Sequence, residues 1–159
     1  MLVAGIDPGK DGAIVVLRDG AIVQQTLLRD CTPPSYLKCL KLDAVFIEKA
    51  QVMDKDPNVR PSARAMFSYG RDYGFLCGSL IDLPCPLYYI PPQEWTGAVH
   101  KMSPHIQGKP KEASLFVARK IWPGMDWRAS DRSRKPHDGI VDAALIGFYG
   151  WRKYCEKRN

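Results

Sequence analysis

The 159-residue sequence lacks the features that mark several common protein classes. No apolar run approaches the roughly 20 residues that a membrane-spanning helix needs. The five cysteines are an odd number, and none forms a CxxC pair or a cysteine–histidine cluster with the spacing of a zinc site. Internal repeats and low-complexity stretches are also missing, and the first predicted strand begins at residue 2, where a signal peptide would lie. We therefore expect one soluble domain over residues 1–159, without disulfides, in a reducing compartment.

The charge that is present is mainly positive. The chain carries a formal net charge of +6, and residues 109–135 hold eight Lys or Arg against three Asp or Glu. A basic surface of this kind attracts phosphates at long range, so a nucleic acid is the favoured partner. Within this basic stretch, Lys109, Lys111, Arg134 and Lys135 are candidate DNA contacts.

Short apolar runs separated by turn residues predict a mixed α/β fold. The order of the elements is three strands, then alternating helices and strands, then two further helices, which predicts a mixed five-stranded sheet flanked by helices on both faces. Asp19-Gly20 is a strong hairpin signal between the second and third strands. The predicted strands are 2–7, 12–17, 21–28, 43–48 and 86–90, and the main helices are 62–80, 112–122 and 136–155.

Two acidic residues stand where strands end. Asp7 closes the first apolar run and precedes Pro8-Gly9, so it is either a turn residue or a functional carboxylate. Glu48 closes the strand "DAVFIE" and shares a face with apolar Phe46. A Glu on an apolar strand face is either paired with a base or gathered at a metal.

Two further acids share one face of the last helix. Asp138 and Asp142 are spaced i, i+4, so their like charges repel unless a cation lies between them. Asp138 alone can be explained as an anion at the start of a helix, but Asp142 lies a full turn further in. Four carboxylates suit two Mg²⁺ ions, with Mn²⁺ as a substitute, and a basic protein with such a set is predicted to be a nuclease.

Several blocks of the sequence resemble one nuclease family in order along nearly the whole chain. The blocks "GIDPG…GAIVVL", "VFIEKAQVM", "SYGRDYGFLCGSLI", "PPQEW", "KEASLFVARKIWP" and "HDGIVDAALIGFYG" are similar to RuvC-type Holliday-junction resolvases, closest to the phage and chloroplast branch. The resemblance implies an RNase H-like fold and a homodimer without an organic cofactor. It also implies symmetric cleavage of four-way DNA junctions that leaves 5′-phosphate and 3′-hydroxyl ends, in the cytoplasm of a bacterial or phage-infected cell or in an organelle matrix.

The resemblance also assigns roles by position. Asp7, Glu48 and Asp142 match the metal-binding carboxylates, and Asp138 matches a fourth position, with His137 as the alternative. Lys111, joined by Lys109, matches a basic residue near the scissile phosphate. The aromatic wedge that some members carry after the catalytic Glu is missing, so Gln51 or Met53 is the candidate for insertion into the junction.

The remaining candidates come from their positions beside these motifs. Lys10 follows the turn after Asp7, where a phosphate would lie, and Tyr69 and Arg71 are expected to line a DNA groove. Trp95 lies in a block that matches the family, although packing is the usual role of a tryptophan. The dimer surface is expected on the helix near residues 62–80. A broader branched-DNA nuclease and a catalytically silent junction-binding protein stay open as alternatives.

Overall fold

The sheet has five strands, as the sequence predicts. The computed structural model describes residues 1–51, 62–103, 106 and 108–156. The strand order is β3-β2-β1-β4-β5; β1 is antiparallel to β2 and parallel to β4, and the other neighbours are β2–β3 (antiparallel) and β4–β5 (parallel). The strands are β1 (Leu2–Asp7), β2 (Ala13–Arg18), β3 (Ala21–Leu27), β4 (Ala44–Glu48) and β5 (Leu87–Ile90).

The hairpin between β2 and β3 forms at the predicted dipeptide. Asp19 and Gly20 both have positive φ, 50° and 82°, which is the left-handed backbone of a tight two-residue hairpin turn. Aspartate and glycine tolerate this conformation better than bulkier residues do, so the local sequence is sufficient to place the turn.

Helices cover both faces of the sheet. One face packs against α3, α4 and α5 through Val3, Val15 and Phe46, and the other packs against α1 and α2 through Ile6 and Ile47. The helices are α1 (Pro33–Lys38), α2 (Ala63–Leu80), α3 (Pro92–His100), α4 (Pro110–Ile121) and α5 (Asp138–Glu156). None of the helices in the described residues is long and apolar enough to cross a membrane.

The long helix α5 approaches the central strand β1 backbone to backbone. A Cβ atom added at Gly5 would lie 2.1 Å from the Ala143 carbonyl oxygen and 2.4 Å from the Gly147 nitrogen. Only glycine permits this contact. It fixes the height of α5 over the sheet and therefore the position of the acidic residues that α5 carries.

Candidate functional site

The ends of β1 and β4 bring the first two carboxylates together. The two strands are parallel neighbours in which Ile6 is paired with Ile47, so Asp7 and Glu48 follow at the same edge of the sheet. Side chains alternate between the two faces along a strand, so Asp7 lies on the same face as Val3, and Glu48 on the same face as Phe46. Val3 and Phe46 belong to the core cluster that contains α5. This alternation puts Asp7 and Glu48 on the face of the sheet that α5 covers.

Helix α5 adds the acids of its first turns to the same cleft. The cleft has a volume of about 410 Å³ and is lined by Asp7, Gly9, Asp11, Lys111, Pro136, His137, Asp138, Gly139 and Asp142. Gly139 is required here, because a Cβ atom at this position would lie 2.3 Å from the Asp11 carbonyl oxygen and 3.1 Å from Oδ2 of Asp7. The small residue lets the helix N-terminus lie directly against Asp7.

The carboxylates influence one another electrostatically. Burial raises the pKa of Asp142 to about 7, and the charges of Asp7, Glu48 and Asp138 add to that rise. The pKa of Asp7 is also raised, mainly by burial, although a 3.0 Å hydrogen bond from the Gly9 N–H and the nearby His137 act to lower it. Asp7 and Asp142 therefore ionise less readily than exposed aspartates do.

The chemistry of these residues fits a hard divalent cation, because all four acids offer oxygen ligands and partly buried carboxylates favour a compensating charge. In their present positions, no three His, Cys, Asp or Glu side chains within the described ranges converge closely enough to hold an ion. The carboxylates would have to turn toward one another to bind one.

Lys111 is the cation that lies at the cleft. Its side chain is 75% exposed, and its Nζ atom donates a hydrogen bond to Oδ2 of Asp138. That contact, with smaller contributions from Asp142 and Asp7, raises the pKa of the Lys111 ammonium. Lys111 lies in the first turn of α4, and Lys109 immediately precedes that helix. Lys109 forms an ion pair with Glu112, with 3.0 Å between Nζ and the carboxylate. Arg134 and Lys135 are exposed in the loop before α5.

Trp95 lies behind the site rather than on its surface. The ring is only 3% exposed, and its Nε1–H donates a 2.7 Å hydrogen bond to Oε2 of Glu48. The prediction that Trp95 contacts DNA is not supported by this placement, because a side chain so deeply buried has almost no surface to offer to a ligand.

A second buried group lies behind Asp142. Ser114, on α4, is 4% exposed and hydrogen-bonds the Asp142 carboxylate. Its Oγ atom lies 3.1 Å from Nε2 of His100, whose pKa is lowered by burial. His100 is the last residue of α3 and is partly buried.

Lys10 and Tyr69 line a common groove beside the cleft. The groove has a volume of about 850 Å³ and runs between the β1–β2 turn, the α1 region and α2. The charges of Glu48 and Asp7 add to the burial that raises the pKa of Tyr69, so its hydroxyl lies close to the acids. Arg71 does not line this groove. It pairs with Asp72 at 2.9 Å instead.

Of the two candidates for insertion into a junction, only Gln51 lies within the described residues. Gln51 is exposed, and its Oε1 atom accepts a 2.7 Å hydrogen bond from Gln93. Met53 lies outside the described residues.

Of the residues that contact the carboxylates from behind, only Ser114 could have been recognised from the sequence. Ser114 shares a face of α4 with Val117 and Ala118, which are buried. A serine on an apolar helix face is a polar group that needs a buried partner. The pairing of Trp95 with Glu48 carries no such signal, because the two residues are far apart in the chain.

The fold matches solved RuvC structures over nearly their whole length. Thermus thermophilus RuvC in complex with a Holliday junction substrate superimposes with a TM-score of 0.64 at 14% identity, covering 98% of this chain and 96% of that one. A second T. thermophilus RuvC structure gives a TM-score of 0.59 at 19% identity, covering 99% and 97%. No protein-family model and no curated protein matches the sequence. The chain therefore has the RuvC fold, and the α/β class expected from its motifs is confirmed.

Proposed function

We propose that this protein is a metal-dependent DNA endonuclease that resolves four-way junctions. One observation carries the proposal: Asp7, Asp138 and Asp142 line one cleft, and Glu48 ends the strand next to Asp7. The charges of Asp7, Glu48 and Asp138 help to raise the pKa of Asp142 to about 7. Carboxylates whose pKa values are shifted by burial and by neighbouring charges are typical of functional sites. The motif resemblance and the RuvC fold support the same conclusion.

The four acids are the proposed ligands of two Mg²⁺ ions during catalysis, with Mn²⁺ as a substitute. When bound, the ions would supply an activated water and charge stabilisation for a phosphodiester leaving group. Asp138 is preferred over His137 as the fourth ligand because it shares a helix face with Asp142 and already binds the cation Lys111. Hydrolysis at this site is proposed to give 5′-phosphate and 3′-hydroxyl ends.

The protein's own residues are proposed to position the phosphate. Gly9 presents little bulk next to Asp7, so the DNA backbone can approach the carboxylates closely. Lys111 is exposed at the cleft and can exchange its contact with Asp138 for one with the scissile phosphate. Lys10 and Tyr69 extend the binding surface into the adjoining groove.

A homodimer would bring two such sites to one symmetric junction. Helix α2 supports this assembly because Leu80 is its only buried residue, although the helix has 18 residues. Phe67 and Phe75 are each 73% exposed on it. Gly70, Gly74 and Gly78 recur at helical spacing with open space around them, which allows a second helix to approach closely.

A cleavage assay on several DNA shapes tests the proposal. Purified protein with Mg²⁺ is incubated with labelled four-way, three-way, flap and linear duplex DNA. Symmetric nicks confined to the four-way junction support a resolvase. Cutting of every branched form would instead support a broader branched-DNA nuclease, and binding without cutting would support the catalytically silent alternative.

A further inference from the structure

We propose that Trp95 and the Ser114–His100 pair are positioning residues that restrain Glu48 and Asp142 at the cleft edge, so that the acids need only turn toward one another to bind the metal. The inference rests on the proposed metal-dependent function. It assigns a task to three side chains of α3 and α4 that do not line the cleft.

Trp95 orients Glu48 through a directed hydrogen bond from a rigid ring. The 2.7 Å bond from Nε1 to Oε2 fixes the position of one carboxylate oxygen of Glu48. The ring itself cannot move freely, since it is 3% exposed and meets the His100 ring edge to face at 6.4 Å. An indole N–H only donates, so this contact favours the ionised carboxylate.

Ser114 orients Asp142 in a similar way, and His100 fixes the direction of the serine hydroxyl. The hydroxyl has one proton, which it gives to the carboxylate of Asp142. When the hydroxyl donates to Asp142, its oxygen can accept from Nε2–H of His100, 3.1 Å away, in the tautomer that carries its proton on Nε2. The resulting chain runs from His100 through Ser114 to Asp142.

These contacts complete the support of the acidic set. Asp7 accepts from the Gly9 N–H at 3.0 Å, and Asp138 is bound by Lys111. The partners of Glu48 and Asp142 differ from these because Trp95 and Ser114 are buried side chains that both contact His100. Groups behind metal ligands fix the orientation of the ligands, and their removal commonly lowers metal affinity or activity by about 10- to 100-fold.

The test uses Trp95→Phe, Ser114→Ala and His100→Phe in the full chain. Each variant removes a hydrogen bond while keeping a side chain of related shape. We expect Mn²⁺ affinity, measured by calorimetry without DNA, to fall by about 10-fold or more for Trp95→Phe and Ser114→Ala. His100→Phe should give a smaller loss, because the histidine acts through the serine. Turnover should fall while the KM for junction DNA stays unchanged.

Two matched controls separate positioning from packing. Trp127 is equally buried at 3%, but its Nε1 atom has no hydrogen-bond partner among the described residues. Trp127→Phe therefore makes the same change of ring without breaking a hydrogen bond to an acid. Ser103 is 3% exposed and donates to the backbone oxygen of His100 rather than to an acid. Both Trp127→Phe and Ser103→Ala should keep wild-type metal affinity.

A measurement on the metal-free protein tests the hydrogen bond directly. The indole N–H resonance of Trp95, recorded by ¹H–¹⁵N NMR, should move on Glu48→Gln, while that of Trp127 should not. Wild-type Mn²⁺ affinity in both Trp95→Phe and Ser114→Ala, or an unchanged Trp95 resonance, would overturn the inference. Failure of the proposed function is distinguishable, because it would appear as wild-type protein that neither binds Mn²⁺ nor cuts DNA.

Discussion

Asp142 combines deep burial with three acidic neighbours. Burial and three neighbouring carboxylates raise its pKa to about 7. The i, i+4 spacing with Asp138 and the shared face with buried Leu145 and Ile146 predicted this position from sequence. The pKa depends on Asp7 and Glu48 as well, and their proximity to Asp142 is a property of the sheet.

Asp142→Asn should abolish cleavage and keep junction binding. The amide preserves the shape of the side chain and can still accept from Ser114, but it is a poor ligand for a hard cation. Cleavage is measured with Mg²⁺ on a labelled four-way junction, and binding by gel shift in EDTA. Retained cleavage would show that the catalytic site lies elsewhere.

The pH dependence of stability follows from the raised pKa of Asp142. In the folded protein its pKa is about 7, above the ordinary aspartate value of 3.8 expected in the unfolded chain. Between these values the native state binds more protons than the unfolded state, so the stability of the metal-free protein should fall as pH rises from 4 to 7. Mn²⁺ affinity should rise over the same window, because the ion must displace the proton.

Urea denaturation of the metal-free protein at several pH values measures this effect. Asp142→Asn is the matched control, because it removes the titrating group and should weaken the fall in stability above pH 5. Identical pH profiles for the wild type and Asp142→Asn would contradict the raised pKa.

At the scale of secondary-structure elements, the contact between α5 and β1 decides whether the site can assemble. The apolar runs predicted both elements: β1 has the predicted bounds, and α5 begins two residues and ends one residue later than predicted. The closeness of the contact was not predictable, because Gly5 and Gly147 lie far apart in sequence. Only the packed structure shows that each needs the other to lack a side chain.

Gly5→Ala should destabilise the protein and reduce cleavage. The added methyl group would meet backbone atoms of α5 at 2.1 and 2.4 Å, which no side-chain rotation relieves. Overpacking of this kind costs about 1–3 kcal/mol, and displacement of α5 would move Asp138 and Asp142 away from Asp7. Denaturation by urea and the junction assay measure the two effects.

Gly97→Ala is the matched control for this substitution. Gly97 lies within helix α3, and a Cβ atom there would have nothing within 4 Å. The exchange should therefore stabilise the protein, by about 0.5–1 kcal/mol. Equal effects of the two substitutions would show that the close approach at Gly5 is unimportant.

At the scale of the whole molecule, α2 leaves an apolar face without a partner in the described part of the chain. Large apolar side chains that are exposed together on one element mark an interaction surface. Exposed Phe67 and Phe75 therefore favour assembly with a second copy, which agrees with the homodimer that the resemblance implies.

The double substitution Phe67→Ser and Phe75→Ser should convert the proposed dimer into a monomer. Sedimentation velocity measures the state of assembly. Phe116→Ser is the control, because Phe116 is 47% exposed on α4 rather than α2 and should leave assembly unchanged. Persistence of the dimer in the double variant would place the interface elsewhere.

The net charge of +6 predicts strongly salt-dependent DNA binding. Replacing Arg134 and Lys135 by Gln should weaken junction binding and reduce the slope of log affinity against log salt by about 1–2. Arg152→Gln is the control, since Arg152 lies near the opposite end of α5 beside Phe148. Fluorescence anisotropy at several salt concentrations gives the slopes, and equal slopes would exclude Arg134 and Lys135 from the interface.

The sequence by itself determined the local structure and the identity of the acidic set. Runs of β-branched residues defined the strands, Asp19-Gly20 placed the hairpin, and helical spacing set Asp142 against the core. Each of these results depends on neighbours in the chain, whose geometry follows from backbone and side-chain sterics.

Only the tertiary structure decided what stands behind the carboxylates. Trp95 lies under Glu48 because α3 packs on the same face of the sheet as α5, and Ser114 meets Asp142 because α4 packs beside α5. Contacts of this kind join residues that no local pattern relates. The physical reason is that a buried hydrogen-bond donor is positioned by the packing of whole elements, and the chain alone records only that the donor is present.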